Sequence, residues 1–144
     1  MKKDVEELSA IVVDCGYKLH VEIGPGLLES IYEIILKKML EEAGLQVKRQ
    51  VQVPIHFMGI HFEEGFRADL IVEDKLLIEL KSVEKLKPLH SKQVLTYLRF
   101  LNLPMGLLIN FGAATFKEGI NRIINGPQSF KRSLLKINNQ EQSL

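Results

Sequence analysis

The stretch FRADLIVEDKLLIELKSVEKL, residues 66–86, carries charged side chains inside two apolar segments. Both segments are typical of β-strands, and they flank an acidic turn around Asp74. Alternate side chains of a strand share a face, so Glu79 and Lys81 lie on one side. A hairpin centred on Asp74 places Asp69 opposite Glu79, where like charges destabilise a sheet. A register slip of one residue would instead separate the two carboxylates.

Two interpretations of these charges are open. Strands with one solvent-facing side often carry acids and lysines, in which case the three residues form a surface salt-bridge cluster. Alternatively, Asp69 and Glu79 share Mg²⁺ or Mn²⁺, which prefer oxygen ligands and retain waters. The cation would remove the repulsion between the carboxylates. Lys81 would then lie close enough to stabilise a developing negative charge or to position a water.

A third acid, Glu29, lies in the segment GPGLLESIYE. The Gly-Pro-Gly break predicts a helix that starts just before Glu29, and an acid in the first turn interacts favourably with the helix N-terminus. That local role is sufficient for a lone glutamate. Because Glu29 flanks the stripe that must face the sheet, it could also reach Asp69 and Glu79 and add a third carboxylate.

Polar residues also interrupt the segment LHSKQVLTYLRFL. Leu89, Gln93, Tyr97 and Leu101 recur every four residues, so we expect Gln93 to break an apolar helical stripe. A buried glutamine needs hydrogen-bond partners, which backbone groups of the core could supply. Alternatively, Gln93 and Tyr97 face a polar site on the sheet and hold its lysine, a water or a phosphate. His90 lies on the same side, nearer the helix end.

The elements that must position these residues follow from hydrophobic periodicity. The second predicted helix has the apolar stripe Leu28, Ile31, Ile35 and Met39. The order ααβββαβα predicts an α/β domain with a mixed sheet and helices packed on it. We expect a single domain over residues 1–144, with a core at about 5–124 and a polar tail at about 137–144. The predicted helices lie at about 4–21, 27–43, 88–101 and 116–124, and the predicted strands lie within 45–57, 66–72, 76–83 and 103–112.

Charge and composition limit the function classes. The formal net charge of +1 over 144 residues provides no global basic field, so nucleic-acid binding would need a local patch. A single cysteine, Cys15, excludes an intrachain disulfide. The N-terminal segment does not resemble a signal peptide and no apolar run has transmembrane length, so we expect a cytoplasmic protein. The candidates for a basic patch are Lys48, Arg49, Arg67, Lys85, Lys87 and Arg99.

Several motifs in order resemble one protein family. GLLESIY at residues 26–32 fits the signature of the GxxExxY proteins, and LHVEIGPG, RADLIVEDKLLIELKSVEKL and HSKQVLTYLRFLNLPMGLLINFG are also similar to that family. The family is grouped with the PD-(D/E)XK nuclease-like superfamily. The resemblance implies a restriction-endonuclease-like αβββαβ core, here with an extra N-terminal helix and a C-terminal helix, and a metal site on the central hairpin.

Carried over by position, the resemblance makes Asp69 the aspartate of the motif, Glu79 its acidic ligand and Lys81 its lysine. Glu29 corresponds to the acid on the first helix of the core, while Gln93 and Tyr97 resemble the polar pair on the helix after the motif. Ala68 stands where the superfamily name expects proline, a change that removes no ligand.

The sequence therefore predicts a Mg²⁺-dependent (or Mn²⁺-dependent) nuclease that hydrolyses phosphodiesters of DNA or RNA. The first alternative is a catalytically inactive module of the same fold that binds nucleic acid or a protein partner. The second treats the charges as structural ion pairs in a protein of unrelated function. The sequence leaves open DNA against RNA and a monomer against a homodimer.

Overall fold

The computed structural model describes residues 2–126 of the chain, and the predicted polar tail at 137–144 lies outside the described residues. The helices pack on one sheet, and the predicted α/β class is confirmed. The elements in chain order are α1 (Val5–Ile23), α2 (Glu29–Glu42), β1 (Val47–Phe57), β2 (Ile60–Val72), β3 (Leu76–Lys81), α3 (Pro88–Leu101), β4 (Met105–Asn110), α4 (Phe116–Gly119) and β5 (Ile120–Ile124).

The five strands form one mixed sheet in the order β1-β2-β3-β4-β5. Neighbours are antiparallel except β3 and β4, which run parallel. A parallel pair needs a crossover connection, and α3 supplies it. The β1–β2 hairpin closes through Met58 and Gly59, whose positive φ angles of 51° and 74° suit a two-residue turn of the twisted hairpin.

Two apolar cores lie on opposite faces of the sheet. The first core, between the sheet and helices α1 and α2, includes Tyr32, Leu36, Leu70, Ile78 and Phe111. The second core, between the sheet and α3, consists of the buried residues Ala68, Ile71, Leu77, Val94, Leu98 and Leu108. Apolar residues at consecutive positions of β3 therefore bury both strand faces, as expected for the centre of a covered sheet. The αβββαβ core runs from α2 to β4.

The end of the described chain differs from the prediction. Only Phe116–Gly119 is helical, and Ile120–Ile124 forms strand β5, antiparallel to β4. The backbone is already extended at Ile120, with φ −99° and ψ 132°. The free edge of β4 offers a row of backbone hydrogen-bonding groups, and pairing with it outweighs the weak helical pattern of this segment. The predicted C-terminal helix is thus reduced to about one turn.

Two predicted helical stripes are only partly correct, since Ile35 and Met39 of α2 pack against the first core and Tyr97 and Leu101 of α3 against the second. In α2, Leu28 and Ile31 are 73% and 41% exposed, while the buried face carries Tyr32 and Leu36. In α3, the buried residues are Val94 and Leu98, and Gln93 lies on an exposed position. Several apolar residues of each helix lie away from the sheet, so the most regular apolar spacing marks the buried face only in part.

Candidate active site at the split hairpin

The β2–β3 hairpin opens at the position where the charged residues lie. The register is as predicted, with Leu70 opposite Ile78 as the last regular pair. Beyond this pair, the carboxylates of Asp69 and Glu79 accept hydrogen bonds from backbone N–H groups in place of backbone carbonyls. The Asp69 N–H donates to Glu79 Oε1 at 3.0 Å, and the Leu80 N–H donates to Asp69 Oδ2 at 2.8 Å. The structure therefore brings Asp69 and Glu79 together between two diverging strands, an arrangement named here the split hairpin.

The electrostatics of Glu79 follow from this enclosure. Its side chain is buried, and burial, followed by the charge of Asp69, raises the pKa of Glu79 to about 8. The hydrogen bond from the Asp69 N–H and the charge of Lys81 act in the opposite direction. Without a cation, Glu79 therefore keeps a proton at neutral pH, which relieves the repulsion between adjacent carboxylates. Such a protonated acid can exchange its proton for a metal ion.

Lys81 ends strand β3, two positions after Glu79 and on the same face. It is half-buried and pairs in register with Asn110 of β4. The side chain of Asn110 is buried and makes two hydrogen bonds to Val83: it accepts from the Val83 N–H at 3.0 Å and donates to the Val83 carbonyl at 2.8 Å. These bonds fix the chain directly after Lys81 and thus the strand end that presents its ammonium group.

Glu29 reaches the same region from the start of α2. The hydroxyl of Tyr32 donates to the Gly24 carbonyl at 2.6 Å and accepts from the Leu27 N–H at 3.2 Å, so it fixes the loop before the helix. This is a physical role for the tyrosine of GLLESIY. Glu29 Oε1 accepts from the Ser82 N–H at 3.4 Å, next to Lys81. A cavity of about 500 Å³ is lined by Leu27, Leu28, Glu29, Ser30, Glu33, Gln50, Asp69 and Ser82.

Two further polar residues of this cavity were missed by sequence reasoning. Glu33 is 3% exposed and accepts from Gln50 Nε2 at 2.7 Å and from Arg49 Nε at 2.8 Å. Gln50 Nε2 also lies 3.4 Å from Asp69 Oδ1. Burial raises the pKa of Glu33, the charge of Asp69 raises it further, and bonding to Gln50 and Arg49 counteracts both. A signal for Glu33 exists in the sequence, because it follows Glu29 by one helical turn.

The residues predicted on α3 separate into different environments. Tyr97 is half-buried and stacks on Phe66, with ring centroids 4.1 Å apart and planes 3° apart. Burial, then the charges of Glu79 and Asp69, raise the pKa of Tyr97, so its phenol lies within range of the charges of the acidic pair. Gln93 is exposed one turn before Tyr97, which contradicts the expectation of a core glutamine. The ring of His90 accepts from the Lys87 N–H at 3.2 Å and caps the helix.

The candidate basic patch is partly used within the fold. Lys48 forms an ion pair with Asp74 at 2.8 Å, and Arg49 pairs with Glu33 at the same distance. Arg67, Lys85 and Lys87 are exposed, and Arg99 is half-buried. Charges already neutralised by internal acids contribute little to attraction of a polyanion, so the local patch is weaker than the sequence suggests.

The donor set of the split hairpin fits a hard divalent cation. Asp69 and Glu79 present carboxylate oxygens, and Mg²⁺ is commonly bound by one or two carboxylates with retained waters. Within residues 2–126, no group of three or more His, Cys, Asp or Glu side chains is arranged to hold a metal ion. The structure thus brings two of the three predicted ligands into direct contact, while Glu29 lies on the cavity wall with Asp69.

A mixed sheet whose split hairpin presents Asp69, Glu79 and Lys81 is consistent with the class of restriction-endonuclease-like domains. A family model described as PD-(D/E)XK nuclease superfamily matches residues 6–123, and the chain belongs to that superfamily. Searches of curated proteins and of solved structures gave no match. Among the described residues, 2–126, no helix is both long enough and apolar enough to cross a membrane.

Proposed function

We propose that this protein is a metal-dependent phosphodiester hydrolase acting on DNA or RNA, with Mg²⁺ or Mn²⁺ as its cofactor. The observation that supports this most directly is the Asp69–Glu79 pair in the split hairpin, with Lys81 two positions further along the same strand face. Membership of the nuclease superfamily makes nucleic acid the expected substrate class. The finer assignment to the GxxExxY proteins rests on the motif at Gly26, Glu29 and Tyr32.

Asp69 and Glu79 would hold the cation, with Glu29 as a third ligand from the cavity wall. A divalent cation held there supplies Lewis-acid chemistry: it polarises the phosphoryl group and makes water more acidic. Glu79 has to give up its proton to act as a ligand, because only the carboxylate binds a metal well. The backbone N–H groups that bond to Asp69 and Glu79 fix both side chains before any cation arrives.

Lys81 would stabilise the negative charge that develops on the phosphoryl oxygens or orient the attacking water. Tyr97 would support the acidic pair from α3, since its phenol already experiences the charges of Glu79 and Asp69. Gln93, exposed one turn earlier on the same helix, would contact the phosphate backbone of the substrate. A second copy of the chain would allow both strands of a duplex to be cut, and a homodimer stays a prediction.

Calorimetric titration of Mn²⁺ and Mg²⁺ tests the ligand assignment. The variants are Asp69→Asn and Glu79→Gln, and the matched control is Glu64→Gln on an exposed position of β2. We expect the wild type and the control to bind the ion, and each site variant to lose at least about tenfold in affinity. Labelled single-stranded and double-stranded DNA and RNA are incubated in parallel, with Lys81→Ala as an additional variant that should keep the metal and lose cleavage.

The outcomes separate the candidate functions. Metal binding and cleavage lost together in Asp69→Asn and Glu79→Gln support the nuclease. Metal binding without cleavage of any substrate favours the inactive binding module, and a steep salt dependence of nucleic-acid binding would then identify an electrostatic partner site. A wild type that binds neither ion, with or without nucleic acid, refutes the proposal and leaves structural ion pairs as the role of these charges.

A further inference from the structure

In β1 and β2, the alternation of side chains between the two faces of the sheet is interrupted at one opposed pair of residues, Gln50 and Asp69. In a regular strand, residues an even number of positions apart share a face. Val47 nevertheless packs against the first core, whereas Val51 packs against the second. On β2, Leu70 belongs to the first core and Ala68 to the second.

The two breaks are aligned across the sheet. Arg49 pairs with Leu70 and Val51 pairs with Ala68, so Gln50 and Asp69 lie directly opposite each other. Gln50 has a positive φ of 53°, which is unusual for a residue with a long side chain. The strained conformation at Gln50 therefore coincides with the candidate metal ligand on the neighbouring strand.

The amide group of Gln50 is placed between two carboxylates. Its nitrogen lies 2.7 Å from Glu33 Oε1 and 3.4 Å from Asp69 Oδ1, so its two N–H groups can serve both acids. Arg49 Nε lies 2.8 Å from the same oxygen, Glu33 Oε1, and compensates the charge of this carboxylate. On Asp69, the Leu80 N–H occupies Oδ2 while Gln50 approaches Oδ1. Both oxygens of the ligand thus have a donor that fixes the carboxylate plane.

The chemistry of the amide suits this position. An ammonium group between the two acids would compete with a metal ion for Asp69, and a carboxylate would add repulsion. A neutral donor does neither, and its bond to one lone pair of Asp69 Oδ1 leaves the other lone pair for a cation. Glu33 is the buried anchor, because its bond to Gln50 is the shorter of the two.

We infer that Gln50 is a positioning residue that uses buried Glu33 as an anchor to orient the Asp69 carboxylate for metal binding. The inference deepens the proposed function and rests on it. Glu33 has no contact with the metal in this scheme, and Arg49 compensates the charge of Glu33. Hydrogen-bonding partners of metal ligands typically contribute tenfold to hundredfold to metal affinity, which sets the size of the expected effect.

Two substitutions at Gln50 separate the role of its side-chain amide from the role of its positive φ. Gln50→Asn keeps an amide and tolerates a positive φ, but it is one methylene too short to bridge the acids. Gln50→Met keeps the length and removes the donors. Gln52 is the matched control: it is an exposed glutamine of the same strand that bonds to Glu64 at 3.3 Å. Gln52→Asn repeats the chemical change away from the site.

The experiment is Mn²⁺ calorimetry on folded variants, with folding checked by circular dichroism. We expect both Gln50 variants to bind Mn²⁺ about tenfold more weakly than wild type, and Gln52→Asn to match it. Glu33→Gln retains the oxygen that accepts from Gln50 and should stay within about threefold of wild type. Wild-type affinity in either Gln50 variant overturns the inference.

Two further outcomes distinguish a failure of this inference from a failure of the proposed function. If Glu33→Gln abolishes Mn²⁺ binding, Glu33 is itself a ligand and the anchoring role is refuted, while the nuclease proposal survives. If Glu79→Gln and the Gln50 variants all bind Mn²⁺ like wild type, the split hairpin is not the metal site and the proposed function fails together with the inference.

Discussion

Replacing Glu79 with glutamine should stabilise the metal-free protein, and the gain should grow with pH. The pKa of Glu79 rises from 4.5 to about 8 in the folded protein. Between these values the folded state binds a proton that the unfolded state has released. The free energy of unfolding therefore falls as the pH rises through this window, by up to about 1.4 kcal/mol per pH unit. Below the window this stability is fully present, and above it the loss is complete.

Glutamine should remove this pH dependence. Its Oε1 can accept the Asp69 N–H that Glu79 accepts now, and its NH₂ can donate to the Asp69 carboxylate as a protonated Glu79 would. From pH 5 to pH 7 the wild type should lose roughly 2.5 kcal/mol relative to Glu79→Gln. With a urea m-value of about 2 kcal/mol/M, the two unfolding midpoints separate by roughly 1 M over that range.

The assay is urea unfolding in EDTA at pH 5, 6, 7 and 8, followed by circular dichroism. Glu64→Gln is the matched control, because it removes the same charge from an exposed position of the hairpin. Its stability should follow the wild type at every pH. A stability difference between wild type and Glu79→Gln that does not change with pH would refute the protonated, buried state of Glu79.

Three further predictions concern the site and the loops that support it. Mn²⁺ affinity should rise about tenfold from pH 6 to pH 7 and by a smaller factor from pH 7 to pH 8, because Glu79, whose pKa is about 8, must release its proton. Calorimetry in buffers of different ionisation enthalpy counts that proton, and a flat profile would contradict the prediction. Tyr32→Phe should lower the free energy of unfolding by about 1–2 kcal/mol in denaturant titrations, because the ring packing stays while the Leu27 N–H and the Gly24 carbonyl lose their hydrogen-bond partner. An unchanged midpoint would refute the role of Tyr32 in fixing the loop. Gly112→Ala should lower the free energy of unfolding by about 2 kcal/mol or more in the same assay, because a Cβ there would lie 2.2 Å from the Val83 carbonyl oxygen. The control Gly126→Ala meets nothing within 4 Å and should leave the stability unchanged. Equal midpoints for the two variants would show that the loop after β3 can shift.

Local patterns of the sequence predicted most of the elements. The helix that begins at Pro88 and the buried strand Met105–Asn110 both follow from periodicity and chain punctuation. The hairpin register also followed from the acidic turn, so Asp69 and Glu79 could be placed side by side in advance. These features depend on contacts between residues close in the chain, which a single sequence records directly.

Helix phase could not be predicted in the same way. The predicted stripe of α2 is half right, because Ile35 and Met39 pack against the first core while Leu28 and Ile31 are exposed. The most deeply buried face carries Tyr32, Glu33 and Leu36 instead. An isolated helix gives no preference between two partly apolar faces. The choice depends on which face meets the sheet, and that is decided by the strands and by α1.

The sequence by itself determined the order of the core elements, the hairpin register and the identity of the acidic pair. Only the tertiary structure decided that Ile120–Ile124 completes the sheet and that Gln50 joins Glu33 to Asp69. The first set depends on spacing along the chain. The second depends on groups that lie far apart in sequence, such as a free strand edge or a buried acid that needs a donor, and these become neighbours only when the sheet and helices have packed.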